Sequence, residues 1–192
     1  MKRLLKLSCY TLLLLCFLNT CVYHRMTHMF GDELEWVSNR EEGEVMYFKS
    51  QNDIIDTLTI LEVSIHNYFD PINWGYFNTC NKEYIAHADV RYGFKNRRDG
   101  GIMEIRKMFN GKPICFSSVL LESNWLDDVP LKISKLTING VTFNDIMLFE
   151  DTADNKDASN PIVSYAWSKR YGLVQYMFQD GTTFSRICIN KP

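Results

Sequence analysis

Four kinds of side chain in this 192-residue chain are able to do covalent, metal or recognition chemistry: cysteines, histidines, clustered carboxylates and a dense group of aromatics. Beyond the amino-terminal region the cysteines are Cys80, Cys115 and Cys188, an odd number, so a single disulfide leaves one thiol over. The pairing among them is open. Cys80 and His87 have the residue types of a thiol nucleophile and its base, yet no activating helix start or local signature accompanies them. His24 and His28 have the i,i+4 spacing that grips a metal on a helix, without a third ligand nearby. His66 and His87 stand alone in strand-like runs and read as core or rim residues. Asp127-Asp128 and Glu41-Glu42 read as solvated loop pairs. Asp151, Asp154 and Asp157 lack the glycine and terminal glutamate of a calcium loop. No nucleophile elbow, phosphate loop or dinucleotide fingerprint occurs. The reading is therefore no catalytic residue, no metal and no cofactor. What stands out is aromatic: Tyr68, Phe69, Trp74, Tyr76 and Phe77 within residues 67–81. They read either as a plug over one end of a sheet or as a lip over an apolar or glycan-binding concavity.

The remaining cysteine with a specific chemistry is Cys21. Lys2, Arg3 and Lys6 precede an apolar run over residues 7–18, and no acidic residue occurs before Cys21. A dozen residues in a helix span roughly 18 Å, short of the ~30 Å hydrocarbon core. That is the length of an export signal. Read on to Tyr23, the run reaches 17 residues, the lower limit for an uncleaved anchor, which is the alternative. Leu18-Asn19-Thr20-Cys21 resembles the bacterial lipobox, with Asn19 and Thr20 departing from its commonest form. The expectation is cleavage after Thr20, a diacylglycerol thioether on Cys21 and acylation of the freed amine. Two or three acyl chains make such an anchor effectively permanent. Val22-Tyr23-His24-Arg25 carry no acid, which leans toward the periplasmic side.

Removing residues 1–20 takes away three of the 21 basic residues and leaves 18 against 23 acidic ones. A domain of net charge −5 without a basic patch is a poor partner for nucleic acid. At 14% aromatic and 46% hydrophobic the chain is no disordered segment. The expected organisation is a signal at 1–20, a lipidated Cys21 and tether to about residue 40, and one domain over 41–192.

That domain is written in β-strands. Runs rich in Val, Ile, Thr, Tyr and Phe fall at 44–49, 55–66, 83–94, 102–109, 113–122, 132–138, 141–150, 162–168, 173–179 and 182–189. Asn110-Gly111, Asn139-Gly140 and Asp180-Gly181 between them favour tight hairpins. Tight turns make neighbours antiparallel. The expected fold is mainly β, an antiparallel meander of about ten strands forming a curved sheet, half-barrel or sandwich. The best helical candidate is a short turn around 32–38. The segment 151–160 reads as a polar hairpin loop, and Arg97-Arg98 beside Lys95 as a basic hairpin tip.

Within the last third, Leu136-Thr137-Ile138-Asn139-Gly140-Val141-Thr142-Phe143-Asn144-Asp145-Ile146 and Tyr165-Ala166-Trp167-Ser168-Lys169-Arg170-Tyr171-Gly172-Leu173-Val174-Gln175-Tyr176 are followed by Asp180-Gly181 and Phe184. These segments resemble the C-terminal half of small lipoproteins from Bacteroidetes-type bacteria, and more distantly the half-barrel lipoprotein-localisation carriers. The resemblance implies an envelope lipoprotein of the outer membrane and a curved sheet; it transfers no catalytic residue. Together these readings predict a non-enzymatic, membrane-anchored protein that binds an apolar ligand or an envelope partner in a concave sheet. The alternative is a glycan-binding or adhesion module using the aromatics of 67–81.

Overall fold

Strand propensity and turn chemistry dominate the local structure. The structure, a computed structural model, describes residues 23–66, 81–84, 86–95, 97, 100–107, 113–121, 123–151 and 160–187. Residues 1–22, with the expected export signal and Cys21, and the aromatics of 68–77 lie outside the described residues. The strands are β1 (Tyr23–Met26), β2 (Val45–Ser50), β3 (Ile55–His66), β4 (Asn81–Tyr84), β5 (Ala86–Phe94), β6 (Gly100–Lys107) and β7 (Cys115–Leu120). They continue as β8 (Leu126–Pro130), β9 (Ile133–Ile138), β10 (Val141–Glu150), β11 (Ile162–Ser168), β12 (Gly172–Phe178) and β13 (Thr183–Ile187). One helix, α1 (Gly31–Ser38), precedes β2. The β9–β10 hairpin turns at Asn139 (φ 50°) and Gly140 (φ 79°), the two left-handed positions of a type I′ turn.

Eleven strands form one antiparallel sheet in the order β8-β7-β6-β5-β3-β2-β13-β12-β11-β10-β9, and β1 pairs with β4 in parallel beside it. The expected single meander is therefore two meanders, joined where β2 pairs with β13. This arrangement forces curvature. β8 and β9 are the opposite edges of the sheet, yet only Leu131 and Lys132 separate them. Three residue steps reach about 10–11 Å at most. The edges must come together, and the sheet curls into a half-barrel. A side-chain contact bridges the same gap: Asn124 donates from its backbone N–H to Asp151 Oδ2 at 2.7 Å and from Nδ2 to Oδ1 at 3.1 Å. Asp151, expected in a solvated loop, is thus buried.

The inside of the curl is aromatic. Tyr176 stacks on Phe184 (5.0 Å between centroids, 5° between planes) and meets Phe48 and Phe94 at 5.4 and 5.7 Å. Tyr165 stacks on Phe149, and Tyr92 lies against Trp167. Aromatic pairs of this kind add about 0.5–1.5 kcal/mol each beyond the area they bury. Helix α1 sits against this inner face. Its Trp36 and Val37 are fully buried, Trp36 meets Phe116 edge-on at 5.0 Å, and Trp167 Nε1 donates to the Trp36 carbonyl at 3.2 Å. Asp32 and Glu33 occupy its first turn, where the helix dipole favours anions, and the Glu33 carboxylate accepts from Phe30 N–H. The stretch read as a tether up to residue 40 thus donates Met29, Trp36 and Val37 to the core. The apolar i,i+1 pair Trp36-Val37 is too brief a stripe to betray this from sequence.

A second, smaller cluster of Ile138, Phe143, Ile146, Ala166 and Val174 lies on the other side of the sheet at the β9–β12 end. Ala166 stands between the inward Tyr165 and Trp167 on β11, so it must point outward.

Candidate functional site

Where α1 ends, the β11–β12 turn, the start of β2 and the end of β13 converge and leave a groove of about 650 Å³. Its walls carry Glu35, Arg40, Glu44, Asp145, Lys169, Arg170 and Arg186. The local sequence explains the shape. Gly172 opens β12 with φ 73°, a left-handed value, and a Cβ there would stand 3.1 Å from Arg40 Cδ. Glycine at this position lets the chain turn into β12 while Arg40 lies against it. The turn itself is held by Asp145, which accepts from Ser168 Oγ at 2.9 Å and from Arg170 N–H at 2.9 Å.

The electrostatics of the groove floor are unbalanced. Arg40 Nη1 donates to Glu44 Oε1 at 2.7 Å and to the Tyr171 carbonyl at 2.9 Å, and Nη2 to the Arg170 carbonyl at 2.6 Å. Arg186 reaches the same Glu44 oxygen at 3.5 Å and also donates to the Tyr171 carbonyl. Two guanidiniums, with side chains only 7% and 12% exposed, therefore share one carboxylate. Burial lowers the pKa of both below the ordinary arginine value; Glu44 opposes this for each, and the proximity of Arg40 adds to it for Arg186. Lys169 pairs with Glu35 at 3.1 Å on the wall. Arg170 is exposed, its guanidinium 5.6 Å from the Tyr171 ring centroid.

Asp145, Arg170 and Tyr171 are shared with an adjoining groove of about 510 Å³, lined by Val141, Thr142, Phe143 and Asn144. Tyr171 meets Phe143 edge-on at 5.6 Å. The two grooves together are cationic at one end and aromatic at the other. Such a surface takes an extended molecule carrying an anionic group and an apolar or flat one.

None of these residues was a candidate in the sequence, because they come from five separate segments. The expected aromatic lip of Tyr68, Phe69, Trp74, Tyr76 and Phe77 and the expected lipidation site Cys21 lie outside the described residues. Cys115 is a free thiol, and burial together with the neighbouring Asp128 pushes its pKa up. Asp127 and Asp128 are not a loop pair: they lie in β8, where Arg106 binds both and Ser117 Oγ donates to Asp127 at 2.5 Å. The basic tip is likewise anchored, since Arg97 Nε donates to buried Asp56 Oδ2 at 2.8 Å. His66 and His87 are not isolated; strand pairing sets them side by side, 4.4 Å between ring centroids. Compared with protein-family models, curated proteins and solved structures, the chain matches none.

Proposed function

We propose that this chain is a lipid-anchored bacterial envelope protein that acts by binding rather than by catalysis, and that the groove beside α1 receives an acidic, aromatic-bearing segment of a protein partner. The carrying observation is the pair of buried guanidiniums, Arg40 and Arg186, on the single carboxylate of Glu44. Glu44 and, for Arg40, Glu41 offset this charge in part; the groove lining still holds Arg40, Lys169, Arg170 and Arg186 against Glu35, Glu44 and Asp145, and a further carboxylate gains from that excess because desolvated charge is costly until it is matched. The adjoining Phe143 and Tyr171 supply a surface for an apolar side chain. A partner segment is also favoured over an acyl ligand inside the curl, since α1 and the aromatic core fill the described part of that concavity.

The test is fluorescence polarisation with a labelled peptide alternating Glu and Phe, and a Lys–Phe peptide as control. The account expects binding of the acidic peptide alone, weakening as salt rises, and a loss of at least roughly tenfold in Arg170→Glu, about one decade of the 1.4 kcal/mol scale. Equal binding of both peptides, or no effect of Arg170→Glu, overturns the groove assignment. For the anchor, metabolic labelling with an alkynyl fatty acid should mark the wild type and not Cys21→Ala. Equal labelling of the two would overturn it.

A further inference from the structure

The face of the sheet opposite the core carries a second polar cluster that the groove does not use. Along β3, Leu58 and Ile60 point into the core, and simple alternation would send Ser64 and His66 the same way. A bulge between Ile60 and Glu62 reverses the parity, so Ser64 and His66 emerge on the outer face. There the register sets Ser64 opposite Asp89 and His66 opposite His87 on β5. The candidate ligand atoms of His66, His87 and Asp89 all lie within 4.8 Å of one another.

Asp89 is the informative member. It is only 6% exposed, and its Oδ1 is buried with no hydrogen-bond partner among the described residues. Arg91 Nε stands 3.4 Å away as an ion pair, off the hydrogen-bond axis, on a side chain that is 58% exposed and also reaches toward Glu62. With this half-exposed ion pair as its cation and no donor on its lone pairs, Asp89 Oδ1 has acceptor capacity for a further cation. Beyond it, across the next strand pair, lies a further carboxylate, Glu104.

We infer that His66, His87 and Asp89 form a binding site for a divalent transition metal of the zinc type, clipping β3 to β5 on the outer face of the sheet. Two imidazoles and one carboxylate are the borderline donors that Zn²⁺ prefers, whereas Ca²⁺ and Mg²⁺ select oxygen alone. Ligands about 2.0–2.1 Å from a tetrahedral metal stand roughly 3.3 Å apart. The ligand atoms, within 4.8 Å of one another, stand at most about 1.5 Å farther apart than that. Ser64 Oγ lies 2.5 Å from His66 Nε2 and fixes the orientation of that ring, the part an outer-shell group plays in metal sites. Three protein ligands leave one position of a tetrahedron for water or an incoming donor, so the site would hold an exchangeable ligand as well as the metal.

The experiment uses the full chain in detergent micelles, stripped with a chelator and titrated with Zn²⁺ against a chromophoric competitor. The inference expects one equivalent bound, more than about 100-fold weaker binding in His87→Ala, and about tenfold weaker binding in Ser64→Ala, the lower end for an outer-shell loss. Far-UV circular dichroism checks that the variants keep the sheet. Co²⁺ substitution tests the wild type without any variant: visible d–d bands without a thiolate charge-transfer band support histidine and carboxylate ligation. A thiolate band, absence of stoichiometric zinc binding by the wild type, or unchanged binding in the His66→Ala/His87→Ala double variant would overturn it.

Discussion

Among the described residues, the ionic knots around Asp56 and around Glu44 are built differently. In one, Asp56 on β3 accepts from Arg97 Nε at 2.8 Å, from Tyr176 Oη at 2.9 Å and from Thr57 N–H at 3.0 Å. One anion meets one cation, and its remaining lone pairs are taken by neutral donors. Arg97 also covers the Phe178 ring at 5.0 Å. Burial and Asp56 push the Tyr176 hydroxyl far above its ordinary pKa, so it stays a neutral donor. In the other knot, Arg40 and Arg186 converge on Glu44 and on peptide carbonyls, and the excess charge faces a groove. The first closes on itself and works as structure. The second keeps an unmet preference for an anion, and the fold leaves space beside it.

Breaking each knot should expose that difference. The largest effect is expected from Asp56→Ala, which strands a guanidinium and a buried phenol. Removing one partner of a buried pair costs about 3–5 kcal/mol. With the Arg97 side chain 34% exposed, the lower value of about 3 kcal/mol applies. In thermal unfolding that is a fall of about 6–12 °C.

Glu44→Gln should cost less, about 2 kcal/mol, because Glu44 is about a quarter exposed and the carbonyls of residues 170 and 171 remain. Here the response to anions is the discriminating readout. Sulfate should raise the melting temperature of Glu44→Gln more than that of wild type, and more than sodium chloride of equal ionic strength does. Equal gains in both proteins would place the second knot in the same class as the first.

Gly172→Ala sharpens the comparison at the turn. A left-handed φ costs an L-residue about 1–2 kcal/mol, and the new methyl presses on Arg40. Gly140→Ala, also left-handed (φ 79°) but with nothing within 4 Å of the added carbon, bears the backbone cost alone. Acidic-peptide affinity should therefore fall in Gly172→Ala and stay unchanged in Gly140→Ala. The smallest effect is expected from Lys169→Gln, which removes only a wall ion pair with an exposed Glu35, worth under about 0.5 kcal/mol in urea unfolding.

The strands were largely legible in the chain, and the sites were not, for a common reason. Residues 55–66, 141–150 and 162–168 carry their own β propensity and turn punctuation, and they became β3, β10 and β11 unchanged. β8 was missed because Leu126-Asp127-Asp128-Val129-Pro130 is poor strand sequence; it pairs at an edge, where proline is tolerated, with Arg106 neutralising its acids. The curl followed from a pairing between the first and last strands of the sheet, which no local pattern announces. The groove required that same pairing to bring Glu44 to Arg186. The histidine pair required a one-residue bulge, whose trace in the sequence is the change of apolar parity from Leu58 and Ile60 to Leu61, Val63 and Ile65.

The most direct measurement is a side-chain NMR titration that follows the Nε–Hε resonances of Arg40, Arg186 and Arg97 while the acidic peptide is added. Saturable shifts are expected for Arg40 and Arg186 with a common affinity, and none for Arg97. Shifts of equal size in all three, or none at Arg40 and Arg186 under saturating peptide, would contradict the groove assignment.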